Sequence, residues 1–116
     1  MSRNGSADWL SLHYGNRSTI FVVILSFADP ETAKVWERQF VKRFSGIERS
    51  AYQRLARLHA AQTLLDLAAI TGNRLEALKG NRKGQHSIRV NDQWRICFTW
   101  REKEKGAANV EIVDYH

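Results

Sequence analysis

A run of seven residues near the end of this chain, Trp94 to Trp100, places a large apolar side chain at every second position. Successive side chains of a β-strand point to opposite faces, so the alternation predicts a strand with one apolar face. That face carries Trp94, Ile96, Phe98 and Trp100, and Arg95 lies on the other. The run therefore assigns a core face and an open face to the sheet that contains it.

The segment before this strand determines how the two pair. If Ile88 shares the core face, the connecting loop needs an odd number of residues, and the three residues 91–93 meet that condition. Ile88 then pairs with Ile96, and Arg89 lies directly opposite Arg95 on the other face. Like charges across a strand pair are destabilising by up to about 1 kcal/mol, so a bound anion explains the pair better than a structural role.

Basic side chains are concentrated in the same region. Residues 74–95 hold six basic and two acidic side chains, a net formal charge of +4 out of +6 for the whole chain. Such a surface favours a polyanion as partner, without distinguishing RNA from DNA. The alternative is a solvated basic face that only keeps the protein soluble.

Length and composition predict one globular domain, because 116 residues with 43% apolar composition suffice for a single core. The one cysteine, Cys97, excludes an internal disulfide, fits a reducing cytoplasm and is predicted to be a packed thiol. The histidines lack the short spacing of a metal pair, so we predict neither a metal nor a cofactor. They are His13, His59, His86 and His116.

The N-terminal residues 1–19 are rich in Ser, Asn and Gly and predict a loose extension. The apolar run 20–25 is too short to span a bilayer, which needs about 20 residues. We interpret it as part of a first strand, roughly residues 21–27, rather than as a secretory signal.

Two helices are predicted next. Asp29 as N-cap and Pro30 at the first helical position begin the first helix. Three aromatic residues spaced four apart form its predicted face: Trp36, Phe40 and Phe44. A capping box of Ser45 and Glu48 begins the second helix. Its predicted apolar stripe contains Ile47, Ala51, Leu55 and Leu58, and His59 near its end is predicted to be a hydrogen-bonded structural residue.

After residues 63–69, which continue as helix or as a looser turn, the pattern changes to a period of two. Strands are predicted over 75–78, 87–90, 94–101 and 110–113, with a basic loop at 80–84 and a hairpin loop at 102–109. The predicted element order is βααββββ.

Three short motifs carry a family resemblance: Leu-Lys-Gly at 78–80, Trp-Arg-Ile at 94–96 and Asp-Tyr-His at 114–116. With their surroundings they closely resemble the HigB toxins of the RelE/ParE superfamily of bacterial toxin–antitoxin systems. The resemblance implies an α+β fold, with two helices from the N-terminal half packed on a small, mostly antiparallel sheet. It covers residues 23–116 as the toxin domain, so we expect residues 1–22 to be a disordered or dispensable extension.

The resemblance also implies an activity, which is ribosome-dependent, metal-independent cleavage of messenger RNA by the toxin of a type II system. It implies that a helix-turn-helix antitoxin, similar to HigA, blocks the toxin. We expect the complex of the two proteins to bind operator DNA. We expect the toxin to act in the cytoplasm on mRNA and the ribosome, without a membrane.

Metal-free RNA cleavage requires activation of the 2′-hydroxyl, stabilisation of the pentacoordinate phosphate and protonation of the departing 5′-oxygen. We assign Arg95, helped by Arg89 and Lys79, to the phosphate, because a guanidinium fork matches two phosphate oxygens. His116 is the predicted general acid, since its own α-carboxylate should raise its pKa above about 6.5. Asp114 is predicted to orient an imidazole or to serve as base.

The remaining candidates have supporting roles. Tyr115 is expected to stack on a base or to bind the backbone, and three basic residues are expected to hold flanking phosphates: Arg74, Arg82 and Lys83. In some family members a catalytic histidine lies three residues before the loop lysine, where this chain has Glu76. That carboxylate could act as base but would repel phosphate. His86 is a candidate substitute for that histidine, although it lies two residues before Ile88 and is therefore predicted to point to the core face.

Two other functions remain open. Relatives with the same fold inhibit DNA gyrase without cutting RNA, and fold alone does not decide function. A non-catalytic RNA-binding module would need the basic face but not His116. Replacing His116 by Ala separates these classes, because binding should survive in a module and toxicity should vanish in a nuclease.

Overall fold

A computed structural model of the chain describes residues 23–115, which form a five-stranded sheet and three helices. The strands are β1 (Val23–Ile24), β2 (Glu76–Ala77), β3 (His86–Arg89), β4 (Trp94–Arg101) and β5 (Gly106–Asp114). The helices are α1 (Pro30–Trp36), α2 (Glu48–Ala60) and α3 (Leu64–Ala68). The predicted α+β class and element order are confirmed, with α3 as an additional short helix.

The order of strands across the sheet is β1-β5-β4-β3-β2. Only β1 runs parallel to its neighbour, β5, and the other pairs are antiparallel. Ile88 pairs with Ile96 and Arg89 with Arg95, so the predicted register is confirmed. No helix within residues 23–115 is long and apolar enough to cross a membrane.

The core lies between α2 and one face of the sheet. Three residues of the predicted stripe on α2 are buried: Ala51, Leu55 and Leu58. They belong to the same cluster as buried residues of the central strands, which include Ile88, Ile96, Phe98 and Ile112. The alternation in β4 therefore assigned the core face correctly, although Cys97 on the other face is buried as well.

The first helix begins as predicted and ends earlier. Asp29 Oδ1 accepts a hydrogen bond from the Thr32 amide at 2.7 Å, which confirms the N-cap. The helix stops at Trp36, because Arg38 adopts a left-handed conformation with φ of 65°. The Gln39 amide then bonds the Lys34 carbonyl at 2.9 Å, which is the pattern of a Schellman motif.

This early end makes the predicted three-aromatic helix face wrong. Phe40 lies beyond the helix and is 69% exposed. Phe44 lies in a separate 3₁₀ turn (Lys42–Phe44) and is buried, with its ring edge against Trp94 at a centroid distance of 5.3 Å. Of the three, only Trp36 belongs to α1, where it stacks on Tyr52 at 5.1 Å.

The predicted capping box at Ser45 is also wrong. Gly46 has a φ of +92°, so an extra turn separates Ser45 from the helix and Glu48 is already the first residue of α2. The Glu48 carboxylate accepts the Gly46 amide at 2.9 Å. The capping box present in the fold belongs to α3, where Thr63 Oγ1 accepts the Asp66 amide at 3.1 Å and Asp66 accepts the Thr63 amide at 3.2 Å.

The strand bounds differ from prediction mainly in β5. It begins at Gly106, whereas the prediction was 110–113, so the connecting turn is shorter than the predicted loop 102–109. A β-bulge at Asn109, with φ of 53°, shifts the register between its two halves. The first strand was predicted over 21–27; residues 21 and 22 lie outside the described part, and β1 is followed by an isolated bridge at Phe27.

Candidate active site

The open face of the sheet carries a cleft of about 490 Å³ beside the β3–β4 hairpin. Its lining residues come from the segment preceding β2, from β2 itself, and from β3, β4 and the turn between them: Arg74, Leu75, Glu76, Arg89, Asp92 and Arg95. The register places these residues together, because Glu76 pairs with Ser87 and Arg89 pairs with Arg95 on the same face. Three cationic and two anionic side chains therefore surround one cleft.

Arg95 lies at the base of this cleft and is only 9% exposed. Its Nε donates to Ser87 Oγ at 2.7 Å, and its Nη2 donates to the Arg74 carbonyl at 2.6 Å and to the Ser87 carbonyl at 3.4 Å. Nη1 makes no hydrogen bond to any residue of the described part. Two of the three nitrogens of the guanidinium predicted to hold phosphate are thus bound to the protein, and Nη1 is the nitrogen left for a ligand.

Glu76 lies beside Arg95, with Oε1 at 3.6 Å from Nη2. The side chain of Glu76 is 56% exposed, whereas that of Arg95 is 10% exposed. The ion pair is therefore formed between a buried cation and a carboxylate that can turn toward solvent. The Glu76 carboxylate thus lies within the cleft.

Arg89 forms an ion pair with Asp92 in the adjacent turn. Asp92 is fully exposed, and the Arg89 side chain is about one-third exposed. With Asp92 beside Arg89 and Glu76 beside Arg95, the protein itself offsets part of the repulsion between the two opposed arginines. The like-charge argument for a bound anion is correspondingly weaker than the sequence indicated.

Tyr115 lies near Arg95 just beyond the end of β5, whereas Asp114 pairs with Trp94, a residue of the core face. The Tyr115 ring centroid lies 5.6 Å from Arg95 Cζ, and the Tyr115 amide donates to the Gln93 carbonyl at 2.6 Å. Asp114 Oδ2 accepts from Gln93 Nε2 at 3.1 Å. His116, the predicted general acid, lies outside the described residues.

The other predicted basic residues lie in different surroundings. Lys79 and Lys83 are exposed at the two ends of a 3₁₀ turn (Gly80–Arg82). Arg82 forms an ion pair with Glu111 at 3.2 Å and bonds Gln85 at 3.0 Å, so its charge already has a partner. Arg74 is exposed at the rim of the cleft and contributes its carbonyl to Arg95.

His86 lies on the face opposite Arg95, as its parity predicted. It pairs with Phe98, and the two rings stack with centroids 6.2 Å apart. The structure therefore does not bring His86 to the cleft, and no histidine of residues 23–115 lines the cleft. His59 is likewise structural, as predicted, because its Nδ1 accepts the Ile24 amide at 3.2 Å.

Three residues that contact the arginines of the cleft or their backbone were not predicted from the sequence. Ser87 is fully buried and holds Arg95, and Asn73, also fully buried, lies beside the Arg74 backbone. The period of two would have placed Ser87 on the face of Arg89, two residues away. Arg54 was also missed; it donates from Nε to the Arg89 carbonyl at 3.1 Å. Burial, followed by the charges of Arg57 and Arg89, lowers the pKa of Arg54.

Cys97 is fully buried, which confirms the predicted packed thiol. Burial raises the pKa of this thiol, so it stays protonated and unreactive at neutral pH. Residues 23–115 contain no group of three or more His, Cys, Asp and Glu side chains placed to hold a metal ion.

The fold and the cleft together define a class: a small α+β protein whose helices cover one face of a sheet and whose arginines line a cleft on the other. Residues 25–116 match the model of a family described as HigB-like toxin, the RelE-like toxin of the type II toxin–antitoxin system HigB. The chain therefore belongs to the HigB-like toxin family. As a toxin of a type II system, it has an antitoxin as its partner.

This chain is similar to a HigB toxin and to a chain of a solved complex. Toxin HigB-1 of Vibrio cholerae serotype O1 is 50% identical over 72 residues, which cover 62% of this chain and 73% of that toxin. A chain in the YoeB–YefM complex from Staphylococcus aureus superposes with a TM-score of 0.48 at 16% identity. That superposition covers 80% of this chain and 97% of the other.

Proposed function

We propose that this toxin is a ribosome-dependent, metal-independent endonuclease that cuts messenger RNA and thereby inhibits translation. The observation that carries the proposal is the setting of Arg95, a nearly buried guanidinium held on one edge by the protein. A cation fixed in this way stabilises developing phosphate charge without reorganising. Family membership supports the same conclusion.

In this proposal Arg95, Arg89 and Lys79 stabilise the charge of the pentacoordinate phosphate. Nη1 of Arg95 is the nitrogen that meets the phosphate, because the other two guanidinium nitrogens are bound within the protein. Arg89 can join it once a phosphate oxygen replaces Asp92 as its partner. Lys79 is exposed on a neighbouring turn, where its long side chain can reach toward RNA.

Two carboxylates are candidates to accept the proton of the 2′-hydroxyl, Glu76 and Asp114. Glu76 is the better placed of the two beside a phosphate on Arg95, because it lies 3.6 Å from that guanidinium. Asp114 would then orient the imidazole of His116, which we propose as the acid that protonates the 5′-oxygen. Tyr115, with its ring 5.6 Å from Arg95 Cζ, would contact a base or the backbone next to the scissile bond.

Around the cleft, we assign flanking phosphates of messenger or ribosomal RNA to Arg74, Lys83 and Arg82. The ion pair with Glu111 makes Arg82 the weakest of these three contacts. The antitoxin would be a helix-turn-helix protein similar to HigA, whose complex with this toxin binds operator DNA. The toxin domain would comprise residues 23–116 and act in the cytoplasm, with residues 1–22 dispensable.

Cleavage of a defined messenger tests the proposal. The purified chain is incubated with the messenger in EDTA, with and without programmed ribosomes, beside Arg95→Ala, His116→Ala and Arg101→Ala variants. Arg101 is the matched control, because it removes the same charge from the exposed far end of β4. We expect cuts that require ribosomes, persist in EDTA, vanish in the first two variants and survive in the third.

Intact messenger under every condition would overturn the nuclease proposal. Inhibition of gyrase supercoiling by the same preparation would then assign the toxin to the gyrase-poisoning class. RNA binding that survives His116→Ala, without any cutting, would assign it to the non-catalytic binding modules.

A further inference from the structure

Arg95 is held by groups that come from two separate segments. Ser87 in β3 provides its hydroxyl and its carbonyl, and Arg74 provides a carbonyl from the segment before β2. Ser87 is fully buried, although it lies on the face of the sheet opposite the helices. Its hydroxyl oxygen accepts the Arg95 Nε proton, so this buried polar group has a partner only while Arg95 keeps this orientation.

The Arg74 carbonyl points at Arg95 because Arg74 adopts a left-handed backbone with φ of 45°. Such a conformation is uncommon for a residue with a side chain, and it persists where contacts with neighbouring residues hold the backbone in place. The preceding residue, Asn73, fixes the backbone here, because its Nδ2 donates to the Leu67 carbonyl at 3.1 Å. Asn73 Oδ1 accepts from Arg57 Nη1 of α2 at 2.9 Å.

Hydrogen bonds and a short stretch of backbone thus connect α2 to the cleft. The connection passes from Arg57 to the buried Asn73, along the backbone to the Arg74 carbonyl, and from there to Nη2 of Arg95. Ser87 binds the neighbouring nitrogen of the same guanidinium. A long arginine side chain loses rotamer entropy when it is fixed, and here the protein has fixed it before any ligand binds.

We propose that Ser87 is a positioning residue for Arg95, with Asn73 supporting it through the Arg74 carbonyl. Both residues hold the Nε–Nη2 edge, so that Nη1 is directed into the cleft toward the scissile phosphate. This proposal rests on the nuclease function proposed above. Ser87 does not touch the RNA, and its contribution to cleavage passes entirely through Arg95.

A double-mutant cycle tests this role. Ser87→Ala is compared with the wild-type chain and, separately, Ser87→Ala/Arg95→Lys is compared with Arg95→Lys. Lysine has no Nε donor placed for the serine hydroxyl. Single-turnover cleavage of messenger on programmed ribosomes is the measurement. We expect Ser87→Ala to lower the rate constant about tenfold in the first pair, with half-saturation unchanged, and less than twofold in the second.

Two controls separate positioning from folding. Thr99→Ala removes a half-buried hydroxyl from the same face of β4, away from the cleft, and should leave the rate unchanged. The Asn73→Asp variant keeps the oxygen that accepts from Arg57 and loses the donor to the Leu67 carbonyl. We expect this variant to cleave messenger more slowly while it keeps a cooperative thermal unfolding transition. The Nε–H resonance of Arg95, which should exchange slowly with solvent in the wild-type chain, should exchange faster in Ser87→Ala.

The outcomes distinguish the two proposals. A wild-type chain that does not cleave would overturn the nuclease function and the positioning role with it. A wild-type chain that cleaves, with equal losses from Ser87→Ala in both backgrounds, would overturn only the positioning role, since the serine would then act independently of Arg95. Unchanged cleavage in Ser87→Ala would overturn it as well.

Discussion

At the scale of single residues, the cationic cleft consists largely of charge pairs. Arg95 has Glu76, Arg89 has Asp92, and Arg82 nearby has Glu111. A phosphate that binds Arg89 must exchange with Asp92, and a phosphate on Nη1 of Arg95 comes close to Glu76, so each carboxylate lowers the affinity for phosphate. Glu76 and Asp92 are exposed enough to turn away, so the exchange needs no change in the backbone.

Asp92 provides a test of this exchange. The Asp92→Asn variant should bind a short single-stranded RNA, 2′-O-methylated against cleavage, two- to five-fold more tightly, because exposed ion pairs contribute about 0.2–1 kcal/mol. Releasing one more cation for phosphate should also steepen the dependence of log K on log salt concentration by about 0.7. Fluorescence titration at several salt concentrations measures both.

Glu104→Gln is the matched control for Asp92→Asn. It changes the net charge equally but lies in the exposed turn between β4 and β5, at the opposite end of these strands from Asp92. A general effect of net charge would make the two variants bind alike, which contradicts the exchange. Weaker binding by Asp92→Asn would show instead that Asp92 is needed to orient Arg89.

At the scale of secondary-structure elements, two similar sequence motifs differ in whether they form a capping box. Ser45-x-x-Glu48 and Thr63-x-x-Asp66 both place a hydroxyl residue three positions before an acid. Only the second motif has both reciprocal hydrogen bonds. Gly46 inserts a left-handed turn into the first motif, which moves the start of α2 beyond the reach of Ser45.

Two alanine substitutions should therefore differ in cost. Thr63→Ala removes an N-cap and should lower the free energy of unfolding by about 1 kcal/mol. Ser45→Ala removes a hydroxyl that caps nothing and should stay within about 0.5 kcal/mol of the wild-type value, as surface substitutions usually do. Urea denaturation followed by circular dichroism measures both. Equal losses would contradict the assignment of the caps.

At the scale of the whole molecule, His59 connects the helical layer to the sheet. It lies near the end of α2, its Nδ1 accepts the Ile24 amide of β1, and its ring lies 5.0 Å from that of Trp36. The imidazole must be neutral at Nδ1 to accept that bond. Burial lowers the pKa of His59 below its ordinary value, which agrees with this requirement.

Stability should consequently fall in acid. The unfolded chain takes up a proton on this histidine near its ordinary pKa of about 6.5, whereas the folded chain does so only at lower pH. The contribution of His59 is fully present above about pH 6.5 and is lost as the pH falls toward the folded pKa. Denaturant unfolding at intervals from about pH 8 to about pH 5 should therefore show a declining free energy.

The His59→Gln variant is the comparison for this pH series. It lacks the titrating group, so its free energy of unfolding should decline less over the same interval, although its stability at neutral pH is lower. The two proteins share every other residue, so the difference between the two curves isolates His59. Parallel curves would contradict the assignment.

By itself the sequence determined the core face of β4, the pairing of Ile88 with Ile96 and the opposition of Arg89 and Arg95. These features follow from local periodicity, because a shift of one residue in register would turn the apolar side chains to the open face. The N-cap at Asp29 was equally local. The motifs 78–80, 94–96 and 114–116 identified the family for the same reason, as contiguous patterns.

Only the tertiary structure decided which groups surround Arg95. Ser87, the Arg74 carbonyl and Glu76 meet it because β3 lies beside β4 and β2 lies beside β3, and none of these contacts appears as a pattern along the chain. The length of β5 was hidden for a related reason: Ala107 and Ala108 are too small to show an apolar alternation, yet both are buried. Contacts between distant segments depend on how the layers pack, which local periodicity does not encode.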